Sequence, residues 1–332
     1  MDNLYAVVTD SSNIIGANIS TSHNGSNSTA TVECTATSLD ISAPISIDLG
    51  YDTNATTHDV LFTGYVKNIE LSVAPKIYTI TASDVLIRAQ EYFIVSNNPE
   101  SPLEYNNASP EDIIHDLMEL AGITSYSGGT SSYVWGVNGP IKISLVSAYD
   151  YSKFLADLIA WQLYTNQDGV VHFKDRRPYP MAGDTAVTPT LTYANSTIAK
   201  VWKTDKDLRN RVVVWGTSGI YASADDDDSY DPSTDSMRQI LPAGFYKTAV
   251  VSSEIIDSQA MAQDACDFNL DIYNRLSVGV SLSCIGNAKY KCRKTVNVDM
   301  PDLSIDDTEY YIYQSEHQWS QTGYQCSLEL RL

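Results

Sequence analysis

The segment from Val60 to Asp84 reads VLFTGYVKNIELSVAPKIYTITASD. Apolar and polar residues alternate on both sides of Pro75, and this period of two is typical of strands that bury one face. Gly64 interrupts the first apolar run, which indicates a bulge or a close approach between two backbones. We therefore expect two adjacent antiparallel strands here, as part of a small barrel or sandwich that spans residues 1–90.

The same alternation returns near the end of the chain. Every second residue of Leu276–Cys284 and of Tyr324–Leu332 is aliphatic, Tyr or Cys. The predicted fold class is mainly β (α+β), with two small β-barrel-like domains and α/β insertions. Four approximate regions follow: a first barrel domain at 1–90, an α+β insertion at 91–180, a second β region with an acidic loop at 181–256, and a helix with C-terminal strands at 257–332 that completes the second barrel.

Helix signals are confined to a few segments. Ser109 precedes Pro110 and two acidic residues, which is the pattern of a helix start. A second helix is expected from about Tyr149 to Trp161, with Trp161 on its apolar face, and a third around 257–274. After the second helix, the pair Asp168-Gly169 predicts a hairpin turn.

The charge balance is strongly acidic. The 332 residues include 21 Lys plus Arg and 41 Asp plus Glu, which gives a net charge of −20. Such a surface repels phosphate, so we expect neither sequence-specific nucleic-acid binding nor attachment to anionic membranes through basic residues. No apolar run approaches the roughly 18 residues of a membrane-spanning helix, and the N-terminus lacks the pattern of a secretory signal. We therefore predict no membrane segment.

The five cysteines do not predict a metal or cofactor site. Cys266, Cys284, Cys292 and Cys326 lie in the last fifth of the chain, but no Cys-x2-Cys pair and no histidine at ligand spacing accompany them. Cys34, Cys284 and Cys326 each fall on the apolar face of a predicted strand, which favours small buried side chains. A zinc or iron–sulfur site and a disulfide are the less favoured alternatives.

No other motif predicts catalysis. The run Asp225–Asp228, in an acidic loop that continues to Asp235, lacks the alternating spacing with which a loop wraps Ca²⁺, so a solvated loop is favoured. The five histidines are scattered, and neither a His-Glu-x-x-His motif nor a Gly-x-Ser-x-Gly elbow is present. We assign no catalytic, cofactor-binding or metal residue and predict that the protein is not an enzyme.

The order of these segments resembles that of bacteriophage tail hub proteins, the family of the late control gene D and baseplate hub proteins. In the first barrel of that family, a Phe-Thr-Gly-Tyr-Val strand precedes a connecting strand and a strand that ends in a polar residue and Asp. Phe62–Val66 and Ser83-Asp84 match this pattern. Three further features follow in the family's order: the hairpin at Trp161–Phe173, the strand at Asn210–Gly216, and the Ala-rich helix and strand at Ser258–Val280.

The C-terminal end carries the last part of the resemblance. A Tyr-Tyr-Ile strand at Tyr310–Ile312 precedes His317, the turn at Gly323-Tyr324 and an alternating final strand through Leu328–Leu330. The resemblance spans most of the chain. It implies two barrel-like domains with α/β insertions, assembled as a homotrimer whose similar barrels form a pseudo-sixfold ring.

In the hub family, such a ring joins the sixfold tail tube or distal tail ring to the threefold tip or fibre and lines the channel through which DNA leaves. The resemblance therefore implies a structural protein of the virion tail tip or baseplate, assembled in the host cytoplasm. The implied partners are the distal tail protein, the tail tube, the tape measure protein and the tail-tip or fibre proteins.

A glycan-binding or glycan-degrading tail-associated β-protein is the alternative. Five tryptophans could stack on sugars. However, Trp161 fits the core face of a helix and Trp215 a dense apolar strand, so core positions are expected for these two. Trp135, Trp202 and Trp319 are the others. A spike component of a secretion system, which shares the hub fold, is a third interpretation.

Overall fold

The computed structural model describes residues 3–23, 28–51, 57–95, 102–137, 139–159, 161–175, 186–204, 206, 208–226, 241, 244–275 and 278–331. The strands are β1 Leu4–Val8, β2 Ser11–Ser22, β3 Thr29–Thr37, β4 Pro44–Tyr51, β5 His58–Val73, β6 Lys76–Asp84, β7 Phe93–Ile94, β8 Leu103–Tyr105, β9 Tyr126–Gly128, β10 Ile141–Ile143, β11 Val146–Ser147, β12 Trp161–Thr165, β13 Val171–Asp175, β14 Val187–Thr192, β15 Ser196–Lys203, β16 Arg211–Trp215, β17 Tyr221–Asp225, β18 Thr248–Ser252, β19 Val278–Ile285, β20 Thr295–Met300, β21 Ile305–Ser320 and β22 Gly323–Arg331. The helices are α1 Ile87–Glu91, α2 Pro110–Leu120, α3 Ala148–Leu158 and α4 Gln259–Arg275.

A 12-stranded sheet is the main element of the described structure. Its order is β1-β4-β5-β6-β3-β2-β21-β22-β19-β15, with β20 beside β21 and β14 beside β20. Six strands come from the first 84 residues and six from the C-terminal part. The two halves meet where β2 pairs antiparallel with β21, and their buried side chains form one core. The predicted mainly β fold class with α/β insertions is confirmed.

Alternation along the strands produces this core. In β3 the side chains of Ala30, Val32 and Cys34 are buried while the intervening residues face solvent, as the sequence pattern predicts. A Cβ built on Gly64 would lie closer than 3.0 Å to the carbonyl oxygen of Ser83, so β5 and β6 approach each other where a side chain has no room. The predicted close approach is confirmed.

A second core fills the insertion between the two halves. It joins side chains of α2, α3, β12 and β13 with those of β16, β17 and α4. The predicted helix start is confirmed, since Oγ of Ser109 accepts a hydrogen bond of 3.1 Å from the backbone N–H of Asp112. The predicted turn is confirmed as well, because β12 and β13 pair antiparallel on either side of Asp168-Gly169.

The expected end of the second helix is wrong. The helix α3 ends at Leu158, and Trp161 instead begins β12. Its ring packs against Phe173 of β13 with the ring centroids 4.8 Å apart. This segment is a strand because it pairs with β13, and the local periodicity of the sequence does not predict that pairing.

Residues 181–256, grouped in the sequence as one β region, contribute to both cores. The strands β14 and β15 lie in the large sheet, whereas β16, β17 and β18 form a separate three-stranded sheet against α4. Most of the acidic loop, residues 227–235, lies outside the described residues. Among the described helices, none is both long and apolar enough to cross a membrane.

Candidate assembly surfaces

The three-stranded sheet of the insertion has one covered and one open face. In β16, Val212 and Val214 are fully buried against the α4 side. Successive side chains of a strand point to opposite faces, so Trp215 points away from this core and is 48% exposed. The expectation that Trp215 is a core residue is therefore wrong, because the strand is buried on one face only.

The open face carries an aromatic pair. Trp215 and Tyr221 are directly opposite each other on β16 and β17, with ring centroids 4.6 Å apart. In the next row, Val250 is 67% exposed and lies opposite Val213. We call these residues and Arg211 the outer face. Exposed aromatic and aliphatic side chains in adjacent rows are typical of contact surfaces.

An ion pair closes one end of the outer face. The guanidinium of Arg211 donates two hydrogen bonds, of 2.6 and 2.8 Å, to the carboxylate of Asp225 and stacks at 3.7 Å on the ring of Tyr246. The hydrogen bond to Arg211 lowers the pKa of Asp225. The first residue of the predicted solvated acidic run is therefore held by an arginine.

A projecting hairpin forms a second exposed surface. We call residues 67–79, the distal parts of β5 and β6 with their turn, the β5–β6 arm; none of its side chains is buried. Leu71 pairs with Tyr78 across the two strands, and the side chain of Val73 is 81% exposed. β3 pairs with β6 only as far as Tyr78, so the hairpin has two strands beyond this point, and its exposed Leu71 and Val73 favour contact with another surface.

A third surface surrounds the short pair β7 and β11. Phe93, Val95 and Leu145 are all more than half exposed. The backbone of Leu145 has a φ of 56°, in the left-handed region, and its N–H donates a hydrogen bond of 2.8 Å to the carbonyl of Ile94. This conformation costs a residue with a Cβ about 1–2 kcal/mol. The local structure thus holds a strained leucine with its side chain in solvent.

The insertion joins the sheet at a buried carboxylate. Asp84, which is 4% exposed, accepts hydrogen bonds of 2.7 Å from the N–H of Ser28 and 3.1 Å from the N–H of Leu86. Burial raises the pKa of Asp84 to about 6, against the lowering effect of these bonds and of Arg293. Arg293 itself stacks on Tyr164 of the insertion at 4.4 Å.

The histidine of the C-terminal pattern lies inside the sheet. Nε2 of His317 is 3.1 Å from the carbonyl oxygen of Tyr290, which can only accept, so Nε2 carries a proton. Nδ1 then accepts a hydrogen bond of 2.7 Å from the hydroxyl of Tyr324. Sγ of Cys326 lies 3.2 Å from the same nitrogen, and Cys326 pairs with Cys284 on the neighbouring strand β19. This buried cluster binds the strands together; the sequence pattern named His317 and Tyr324 but not Tyr290.

The other sequence candidates are separated in the structure. All five cysteines are buried and lie outside any disulfide, and the burial of Cys34, Cys284 and Cys326 is the one that their strand positions predict. In the described part of the chain, the one group of three possible metal ligands is His115, Asp116 and Glu119 on α2, a partly exposed set of the kind common without a metal. Exposed carboxylates on one helical turn do not enclose an ion.

The tryptophans do not form a row of sugar platforms. Trp135, Trp161 and Trp319 are buried. Trp202 lies beneath the guanidinium of Arg331 at 4.1 Å, and its Nε1 donates to Oγ of Ser281. Of the five tryptophans, all within the described residues, only Trp215 exposes about half of its surface to solvent.

Two tail proteins, one of them from a prophage, share this arrangement over almost the whole chain. The tail protein from Neisseria meningitidis MC58 matches with a TM-score of 0.70 at 12% sequence identity, over 99% of this chain and 95% of its own. The 43 kDa tail protein of prophage MuSo2 from Shewanella oneidensis gives 0.69 at 14% identity, over 98% and 97%. The chain has the fold of these tail proteins.

A secretion-system protein shares the fold as well. The E. coli c3393 protein, a component of the type VI secretion system with structural similarity to the T4 bacteriophage tail proteins gp27 and gp5, gives a TM-score of 0.55 at 8% identity, over 98% of this chain and 76% of its own. No known protein family and no curated protein matches the sequence.

Proposed function

We propose that the protein is a structural hub of a bacteriophage tail tip or baseplate and has no catalytic activity. The observation that carries the proposal is the correspondence of fold with two tail proteins, one of them from a prophage, over at least 98% of the chain. Similarity limited to one domain would leave the rest of the chain free for another activity, whereas this correspondence includes the sheet and the insertion together.

The proposed assembly is a homotrimeric ring. Each chain holds two six-stranded halves in one sheet, so three chains side by side would present six such halves. Such a ring matches a sixfold tail tube or distal tail ring on one face and a threefold tip or fibre on the other. The β5–β6 arm, the surface around β7 and β11 and the outer face offer exposed apolar side chains for contacts with neighbouring copies, the tape measure protein or other tail proteins.

The net charge and the thiols are consistent with this role. In the proposal DNA passes through the ring, and a surface with a net charge of −20 avoids binding its phosphates. Five buried cysteines without a disulfide suit a virion protein that folds in the reducing cytoplasm of the host before it enters the tail.

The mass of the native particle, measured by light scattering after size exclusion, tests the ring. We expect a species of three times 36.5 kDa, with a central channel in electron micrographs. If the protein is a monomer, the measurement is repeated with purified distal tail ring. A monomer that also fails to trimerise on that ring contradicts the proposal.

The exposed pair Trp215 and Tyr221 supports glycan binding as a second candidate function. Aromatic rings at a surface can stack on sugar rings. A depolymerase would release reducing sugar from host capsule or cell-wall polysaccharide. A glycan-binding protein would bind the polysaccharide without cleaving it, and Trp215→Ala would abolish this binding. We expect neither result for a hub.

A further inference from the structure

Two cysteines face each other across neighbouring C-terminal strands. Cys284 of β19 is directly opposite Cys326 of β22 in the antiparallel ladder. Both side chains point into the core of the sheet, where Cys284 is 2% and Cys326 is 0% exposed. Directly opposite residues of an antiparallel pair have Cα atoms about 4.5–5.5 Å apart, which is within the range of disulfide-bonded cysteines. The backbone therefore has the spacing that a disulfide between these two residues requires.

The two thiols are also in contact. The thiol of Cys284 donates a hydrogen bond to Sγ of Cys326, and this bond, together with burial, raises the pKa of Cys284. Directly opposite side chains of an antiparallel pair point to the same face of the sheet. A bond between the two sulfur atoms consequently needs no change in the register of the strands.

The other three cysteines have different neighbours. Sγ of Cys266 and Sγ of Cys292 donate to backbone carbonyls at 3.8 and 3.2 Å, and Cys34 lies in β3 of the N-terminal half. Of the five cysteines, all of which belong to the described part of the chain, only Cys284 and Cys326 are partners in a strand ladder. One specific pair is therefore set apart for oxidation.

A proton acceptor lies beside one thiol of the pair. Nδ1 of His317 is 3.2 Å from Sγ of Cys326, and the N–H of Asn287 donates to the same sulfur at 3.4 Å. When Nδ1 takes up a proton, Nε2–H is already paired with the carbonyl of Tyr290, and the hydroxyl of Tyr324 rotates to accept from Nδ1. These contacts favour the thiolate of Cys326, which is the reactive form of a cysteine.

A surface cleft borders the pair. Its volume is about 490 Å³, and Cys284, Trp319 and Tyr324 are among the residues that line it. Hydrogen peroxide is close to water in size, whereas a disulfide such as oxidised glutathione is a peptide-sized molecule. Buried thiols beside such a cleft therefore select a small oxidant.

We propose that Cys284 and Cys326 are a redox-sensitive dithiol that hydrogen peroxide closes to a disulfide. His317 takes the thiol proton of Cys326, whose sulfur attacks one oxygen of the peroxide. The S–O bond forms, the O–O bond breaks, and the leaving hydroxide takes the proton from His317 to become water. The thiol of Cys284 then displaces the hydroxyl group from the sulfur of Cys326, and this group leaves with the proton of Cys284 as a second water. The two sulfurs lose two electrons, and the peroxide gains them.

The disulfide joins β19 to β22 and closes the chain between residues 284 and 326 into a loop. A closed loop restricts the unfolded chain and so stabilises the folded one. In the proposed function the protein folds in the reducing cytoplasm of the host and meets oxidants after release, so the link strengthens the sheet of the released particle. This consequence rests on the proposed function, whereas the dithiol itself does not.

Peptide mass spectrometry of the full chain tests the dithiol. The native protein is treated with hydrogen peroxide, catalase removes the excess, and the remaining thiols are blocked with N-ethylmaleimide in urea before digestion. We expect the loss of two hydrogen atoms per chain and one cross-linked peptide pair that contains Cys284 and Cys326. Oxidation in urea is the control and should give several pairings. Unchanged thiols in the native protein, or the mixture of pairings found in urea, would overturn the proposal.

Two variants separate the pair from a general effect of thiol removal. Cys266→Ala removes a buried thiol from the other core and should still form the disulfide. In Cys284→Ala, oxidation should stop at a sulfenic acid on Cys326, which dimedone traps. Peroxide should raise the midpoint of thermal unfolding by about 5 °C in the wild-type protein and in Cys266→Ala.

The same midpoint should not rise in Cys284→Ala, and an equal rise in that variant contradicts the proposal. Both readouts are independent of the number of chains in the particle. Failure of the trimer and failure of the dithiol are therefore separate results.

Discussion

The hydroxyl of Tyr324 lies 2.7 Å from Nδ1 of His317, inside the C-terminal half of the sheet. The two residues lie on paired strands, β21 and β22, and burial raises the pKa of the Tyr324 hydroxyl well above its ordinary value. The hydroxyl therefore stays protonated and serves as a hydrogen-bond donor. The histidine of the C-terminal sequence pattern is a structural acceptor here, not a base exposed to substrate.

Replacement of Tyr324 by Phe tests this role. The ring still fills its space, but Nδ1 of His317 loses the Tyr324 hydroxyl and keeps only the weaker thiol donor of Cys326, so we expect the free energy of unfolding to fall by about 1–2 kcal/mol. Urea unfolding at neutral pH measures the change. Tyr193→Phe, at an exposed position, is the control and should change the free energy by less than about 0.5 kcal/mol. Equal effects of the two substitutions would contradict the assigned hydrogen bond.

The buried carboxyl of Asp84 predicts a pH dependence of stability. Its pKa in the folded protein is about 6, above the ordinary value of 3.8, so the folded state binds the proton more tightly than the unfolded state. The contribution of this proton to stability is complete below about pH 4 and is lost as the pH rises to about 6. A shift of this size corresponds to about 2–3 kcal/mol.

Asp84→Asn removes this titration. Relative to the variant, we expect the wild-type protein to lose about 2–3 kcal/mol of stability between pH 4 and pH 7. Urea unfolding of both proteins at several pH values measures the difference. Asp225→Asn gives the opposite sign, because Arg211 lowers the pKa of Asp225 and its stabilisation is lost in acid. A pH-independent difference for Asp84→Asn would show that its carboxyl does not titrate in this range.

The close approach at Gly64 predicts a strict requirement for glycine. An added Cβ would collide with the carbonyl oxygen of Ser83, so Gly64→Ala must separate β5 from β6. We expect a loss of about 2–4 kcal/mol in thermal or urea unfolding. Gly323→Ala is the matched control, since nothing lies within 4 Å of its added Cβ, and it should be nearly neutral.

Substitutions at two neighbouring residues of β16, Val214 and Trp215, distinguish an effect on stability from an effect on assembly. Val214→Ala opens space in the core against α4 and should lower the unfolding free energy by about 2 kcal/mol. Trp215→Ala removes an exposed ring and should cost less than about 1 kcal/mol while weakening incorporation into tail particles. Unfolding curves and the protein content of purified particles measure the two effects. If Trp215→Ala destabilised the protein more than Val214→Ala does, the outer face would be part of the core and not a contact surface.

The sequence alone determined features whose cause is local. Alternation placed Ala30, Val32 and Cys34 on the buried face of β3, because successive side chains of a strand point to opposite sides. The cap at Ser109 and the turn at Asp168-Gly169 depend on residues within one turn of the chain, and they are where the pattern predicts them. The order of such segments was also sufficient to indicate the mainly β fold class.

Only the tertiary structure decided which elements meet. The pairing of β2 with β21 brings Asn18 within 2.9 Å of Glu316, a separation of 298 residues that no local pattern encodes. The same reason explains Trp161 and Trp215. Trp161 lies in a strand because β12 pairs with β13, and Trp215 is exposed because α4 covers only the opposite face of β16. Trp135 and Ile256 likewise share the core of the insertion although they are far apart in the sequence, and their burial is a property of the whole chain.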